Sequence, residues 1–426
     1  GLRKAAEPLA AIITKLLQKF KMTISGIVVC STCGHKIKLR HQIGLFYPVK
    51  VNIPCNGCGK ILKGEVSKNG DKAFLFPNEN VTMDFDGADQ TISISTELPI
   101  LKKETNVNKP ALTPFLALSH KVFSFDELGA YTTNLNEFKS IYDEKLDQLI
   151  TSYELFENRN WHYFLEHLKN NFDKDIDIIE TFEHSSIMLV ALNEIIFRLL
   201  KTNFYVVEFD DKIFQNLYKK NITKTEELKK LRVEIEKYID LEDEFIKGVK
   251  LLENFLRNVH SFLPIFLLSH KNDFEKQFGE DLDITTFDFN ELKHFFIEQF
   301  EYLSRISSLY FGLMNMSENG NYDNFGSITD CSNLANYCSK DNGIKKEIIK
   351  KSPLLNSYFL NTLNSQIRNG IGHLKTKYDP KTQIIRYYPY KTPDKKDNYK
   401  EIYLIDFAFL VYQQSLKIHN SLRVIT

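Results

Sequence analysis

Near the C-terminal end of the chain runs Gln366-Ile367-Arg368-Asn369-Gly370-Ile371-Gly372-His373. Arginine is a permanent cation whose planar fork of donors suits phosphate oxygens. Histidine is the side chain most readily poised for proton transfer near neutral pH. With the amide of Asn369 beside the arginine, Arg368 and His373 supply the groups needed to cut a phosphodiester. In an ideal helix, positions five apart stand about 140° apart around the axis, so one copy converges poorly on one phosphate. A structural role competes for the same residues, because cationic side chains near a helix C-terminus oppose the helix dipole without any catalysis.

A second constellation lies toward the other end. Cys30-Ser-Thr-Cys33-Gly34-His35 and Cys55-Asn-Gly-Cys58-Gly59 are two CxxC pairs, each followed by glycine and separated by 21 residues. A CxxC turn lets two thiolates converge on one ion, and the glycine relieves the tight backbone behind them. Two such turns complete a tetrahedral shell of four sulfurs with no open position, which makes the expected zinc structural rather than catalytic. Metal binding then supplies much of the folding free energy of a small module. The spacing resembles the paired knuckles of a zinc ribbon. His35 and His41 are alternative ligands that a full set of four cysteines makes unnecessary. The two remaining cysteines, Cys331 and Cys338, have no second pair nearby and read as buried thiols.

These residues need elements to position them, and the 426-residue chain is long enough for two or three domains. It is 43% hydrophobic and 26% charged, as ordinary globular proteins are, and its 33 Phe and 20 Tyr predict phenylalanine-rich cores. Formal net charge is zero, so the overall balance points to no partner. Locally it is otherwise. Between Gly343 and Lys400, eleven lysines and two arginines face Glu347, Asp379, Asp394 and Asp397, an excess of nine positive charges around the Arg368/His373 stretch. No apolar run is long enough for a transmembrane helix, and paired cysteines without a secretory signal suit the cytoplasm, the expected location.

Residues 1–21 carry apolar residues on one helical face, among them Leu9, Ile13, Leu16 and Phe20. Either Met22 is the natural start and this amphipathic helix is an appended segment, or the helix is native and docks on protein or membrane. Residues 22–98 read as a zinc-ribbon and β-rich domain, with short β-branched runs from Ile24–Val29 to Thr91–Ser95. Residues 99–175 read as a linker, over Pro99–Pro114, and a helical connector. Residues 176–426 read as a helical domain, with expected helices over Ile176–Leu200, Thr223–Leu256, Phe289–Met314 and Ile344–Ile371. Met314–Asn342 reads as a long loop with one short helix. Gln383–Tyr390 and Glu401–Ile405 read as a β-hairpin, and Asp406–Leu422 as a last amphipathic helix. The fold class is α+β.

Arg368-Asn369-x-x-x-His373 resembles the RxxxxH signature of HEPN domains, in which a polar residue follows the arginine. Its place late in a helical region, ahead of a hairpin and a last helix, resembles that family too. The resemblance covers residues 176–426 and implies a metal-independent endoribonuclease, of the kind used as toxins or abortive-infection effectors in antiphage defence. It further implies a homodimer whose two motif helices build one composite site. In that frame His373 acts as general acid or base, Arg368 stabilises charge on the phosphoryl oxygens, and Asn369 orients one or the other. Gly370 and Gly372 let the backbone approach a partner helix or RNA. Lys375, Lys377 and Arg386, with Tyr378, are candidate contacts to RNA phosphates and bases, against the alternative of a solvated hairpin. The zinc module then senses or regulates, with a phage-derived or regulatory protein as a possible trigger. The rival reading is a non-catalytic protein that binds nucleic acid or dimerises through the ribbon and the helices.

Overall fold

The computed structural model describes residues 23–69, 72–102, 112–174, 185–200, 217, 219–221, 223–271, 277–328, 330–359, 362–389 and 398–426. The expected helix over 1–21 lies outside these residues, as do positions 176–184 and the lysines at 391, 395 and 396.

Seven strands build the N-terminal module: β1 (Thr23–Cys30), β2 (Lys36–Gln42), β3 (Val49–Pro54), β4 (Ile61–Asn69), β5 (Lys72–Glu79), β6 (Val81–Asp84) and β7 (Gln90–Ser95). They form two sheets, ordered β6-β1-β2-β7 and β3-β4-β5. Alternation sets the faces: in β2, Ile37 and Leu39 are buried while Lys38 between them is exposed. Their partners in the core are Val28, Val51, Ile53, Leu62, Val66, Ile92 and Ile94. The turn Asp86-Gly87-Ala88-Asp89 does not close a hairpin. It carries the chain to the far edge, where β7 runs parallel to β2.

The stretch read as a linker opens with β8 (Ile100–Leu101), which pairs with β9 (Leu282–Asp283) from the helical region. Helices α1 (Pro114–Lys121), α2 (Phe125–Glu157) and α3 (Trp161–Phe172) follow. Ser124 and Glu127 cap α2 reciprocally. These helices share one core with the rest of the chain: Phe156 of α2 meets Phe164 at 5.6 Å and Phe245 at 5.5 Å.

After α4 (Ser185–Leu200), the run read as one helix over Thr223–Leu256 is two, α5 (Thr225–Glu236) and α6 (Leu241–Arg257). Asp240 starts the second, its carboxylate accepting from Asp243 N at 3.0 Å. The short α7 (Leu263–Leu268) leads through β9 to α8 (Phe289–Asn319), which is capped by Asp288 and Glu291. The short helix expected in the following loop is α9 (Leu334–Cys338).

The helix read over Ile344–Ile371 breaks into α10 (Asn342–Lys351), α11 (Pro353–Phe359) and α12 (Ser365–Gly372). Pro353 has no N–H with which to extend α10 and instead opens α11. The Asn364 carboxamide caps α12, accepting from Gln366 N and Ile367 N at 3.2 Å each. The expected hairpin is a three-stranded antiparallel sheet, β10 (Thr376–Asp379), β11 (Ile384–Tyr387) and β12 (Lys400–Tyr403). Its first strand escaped the sequence reading because Lys377 and Asp379 leave few apolar positions. The chain ends in α13 (Leu404–Ile425), which packs along α8 and α6 at the centre of the core.

The β-rich module sits directly on this helical body. Asn52 N donates to Thr285 O at 2.6 Å, Lys63 pairs with Asp288 at 3.2 Å, and Lys50 pairs with Glu291 at 2.9 Å. Among the described residues no helix is long and apolar enough to cross a membrane.

Candidate functional site

The cysteine cluster is the simpler of two sites. Both knuckles are turns between paired strands, one joining β1 to β2 and the other β3 to β4. In the first, Gly34 N donates to Cys30 O at 2.9 Å and Cys30 N to His35 O at 3.0 Å. In the second, Gly59 N donates to Cys55 O at 2.7 Å and Cys55 N to Lys60 O at 2.8 Å. Gly34 (φ +73°) and Gly59 (φ +79°) both need the left-handed region that glycine adopts without strain. The Sγ atoms of Cys30 and Cys58 stand 3.6 Å apart, and those of Cys33 and Cys55 3.5 Å apart. All four sulfurs lie within 4.8 Å of one another. A tetrahedral zinc with Zn–S bonds of about 2.3 Å sets its sulfurs about 3.8 Å apart, so the cluster fits zinc.

The thiols are prepared unequally. Burial pushes Cys30 up, but N–H groups of Cys33 and Thr32 and the thiols of Cys58 and Cys55 outweigh it and bring its pKa down to about 6. Burial pushes Cys55 up to about 12. A zinc held here would keep the coordinating sulfurs as thiolates. His35 is not a member of the set; its ring meets Asp89 and Gln90, each at 3.4 Å. His41 is buried in the module, where desolvation lowers its pKa to about 4.

The second site is the end of α12. Arg368 donates from Nε to Glu301 Oε1 at 2.7 Å, and its Nη2 stands 2.7 Å from the same oxygen. Glu301 belongs to α8, and its other oxygen accepts from Asn342 Nδ2 at 2.9 Å. Ser304 Oγ in turn donates to Asn342 Oδ1 at 2.6 Å. The guanidinium folds toward the C-terminal end of its own helix: Nη1 stands 3.6 Å from where a Cβ on Gly372 would be. His373 is the next residue, capping the helix with its N–H on Asn369 O at 3.1 Å and its side chain exposed.

The helix then ends in a Schellman turn, with Lys375 N on Gly370 O at 2.7 Å and Leu374 N on Ile371 O at 3.0 Å. The left-handed position of that turn, usually glycine, is Leu374 at φ +56°, with 88% of its surface exposed. Gly370 serves a different purpose from the one expected. It is buried against the chain's own β11, where a Cβ would stand 2.8 Å from Tyr387 Cβ.

The basic hairpin residues divide by strand face. Lys377 and Arg386 are directly opposed on the exposed face of β10 and β11. Arg386 pairs with Glu401 at 2.7 Å and lies 5.0 Å from the centre of the Tyr399 ring. Lys375 is half-buried at the helix end. Tyr378 faces inward, 5.4 Å from Phe289, so its ring is committed to the core rather than presented to a base. Tyr390 lies outside the described residues.

Glu301 and Asn342 were missed in the sequence. The one available signal was an acid inside the apolar run Phe300–Leu303 of a long helix. Glu301 also lines a groove of about 580 Å³ between α6 and α8, with Lys247, Lys250, Arg257 and Arg305 along it. Comparison with family models, curated proteins and solved structures returned no match to this chain.

Proposed function

We propose that the chain is a metal-independent endoribonuclease of HEPN type, with Arg368, Asn369 and His373 as its catalytic set and a structural zinc in its N-terminal module. The reading is carried by one observation: Arg368, fixed by Glu301, lies over Gly372 beside the exposed His373, so fork and imidazole share one helix end. His373 takes the proton of a ribose 2′-OH, whose oxygen attacks the adjacent phosphorus. The bond to the 5′ oxygen breaks, and that oxygen leaves with a proton. The products are a 2′,3′-cyclic phosphate and a free 5′-OH. Arg368 offsets the charge that builds on the phosphoryl oxygens, and Asn369 orients the phosphate or the imidazole.

A second copy completes the site. A strained, fully presented leucine beside His373 is what supports self-association there, because backbone strain of this kind persists where it serves a function. The zinc module restrains or senses, and a role in antiphage defence, in the cytoplasm, extends the same reading. The rival reading, a non-catalytic binding protein, draws on the partial neutralisation of Arg368 by Glu301. Purified chain with labelled RNA separates the two. Arg368→Ala and His373→Ala each abolish cleavage while circular dichroism stays unchanged; variants that cleave like the parent rule the ribonuclease out.

A further inference from the structure

Where the β-rich module meets the helical body there is a second cavity, of about 190 Å³, which shares no lining residue with the groove along α6 and α8. Its walls come from both partners: Ile53 and Ile92 from the module, Leu101 from β8 and Ala117 from α1. Three polar groups lining it have a buried atom without a hydrogen-bond partner: Gln90 Nε2, Ser93 Oγ and Asp283 Oδ1. Gln90 is only 5% exposed, and its carbonyl end is fixed by Asn56 Nδ2 at 2.7 Å, which leaves the NH₂ end unused. Asp283 Oδ1 is ion-paired with Lys102 Nζ at 3.6 Å but accepts no hydrogen bond among the described residues. Buried polar atoms of this kind are costly unless something meets them.

The cations at the cavity are already engaged. Lys102 Nζ donates to Thr382 O at 3.3 Å and lies 3.9 Å over the Tyr403 ring. Lys381 Nζ donates to Gly57 O at 3.3 Å. The cavity therefore offers little to a phosphate or a free carboxylate. It offers a donor to an acceptor (Gln90), an acceptor to a donor (Asp283) and a hydroxyl between apolar walls. Its volume falls below the roughly 300 Å³ at which drug-sized pockets begin, which suits a single ring system. We propose that this cavity binds the base of a small neutral nucleoside, a planar heterocycle with N–H donors and ring acceptors on one edge. Burial pushes the Asp283 carboxyl up to about 7, against the opposing charge of Lys102. The inference stands apart from the ribonuclease reading, since it concerns binding alone.

Calorimetric titration of the full chain with adenosine, guanosine, cytidine and uridine tests it, with free glutamine as the zwitterionic control. At least one nucleoside should saturate and raise Tm. Asp283→Asn and Gln90→Leu should each weaken it tenfold or more, and Ala117→Leu, which fills the cavity, should abolish it in a chain that still melts cooperatively. Failure of all four nucleosides to bind, binding that survives all three substitutions, or binding of glutamine instead overturns the proposal.

Discussion

Arg368 is held by a carboxylate that the sequence pattern did not single out, and the pairing has consequences for activity. Glu301→Gln keeps the shape but removes the charge that orients the fork. Cleavage should fall at least tenfold, while stability changes by about 1 kcal/mol or less, as expected for a half-exposed ion pair. Initial rates alongside urea midpoints check both halves. Leu374 stands in a conformation costing a non-glycine residue roughly 1–2 kcal/mol. Leu374→Gly should therefore stabilise the isolated chain, by up to about 1 kcal/mol of unfolding free energy in urea after glycine's extra chain entropy. Sedimentation of the same variant should show weaker self-association than the parent; unchanged association would remove Leu374 from the dimer contact. Arg368, Asn369 and His373 stood out by type and spacing, and all three fall at the end of one helix. Glu301 did not, since nothing local marks which carboxylate a distant arginine will meet.

At the level of elements, the knuckles were the most legible part of the chain, because a CxxC followed by glycine dictates both ligand and turn. Metal analysis should find close to one zinc per chain. Cys55→Ser or a strong chelator should remove it and lower Tm by several degrees or more, because this module's core includes Cys30 and Cys55 themselves. Helix boundaries were less legible. Periodicity ran straight through Pro353 and Asp240, where proline's missing N–H and an aspartate cap end one helix and start another. The short pairing of β8 with β9 was hidden for a different reason: two residues carry no pattern. It nevertheless fixes Asp283, whose pKa is raised to about 7 chiefly by burial. A carboxyl raised in the folded state contributes stability at pH below about 4, and that contribution is lost as pH climbs through about 7. Asp283→Asn should thus match the parent near pH 4.5 and exceed it at pH 8, on the order of a few kcal/mol. Denaturant titrations at the two pH values check the crossover.

On the scale of the whole molecule, the reading of a ribbon joined to a helical domain through a linker underestimated how far the two interlock. Both are present, as an N-terminal β-rich region with its cysteine cluster and a C-terminal helical region, but contacts far apart in sequence join them. Hydrophobic patterning within a segment reports that a face is buried, not what buries it, so such docking could not be read in advance. The contact between Lys381 Nζ and Gly57 O spans 324 residues, and that between Lys50 and Glu291 spans 241. During synthesis the cysteine module is made before the partners of its docking face, which lie 241 and 324 residues further along. Lys381 follows the Arg368/His373 helix, and α13, which packs along α8 and α6, is made later still. A growing chain therefore has its cysteine cluster before it has either the clamp on the motif's sheet or the helix beneath it. That order leaves the Arg368/His373 end of the molecule unassembled until these later segments are made.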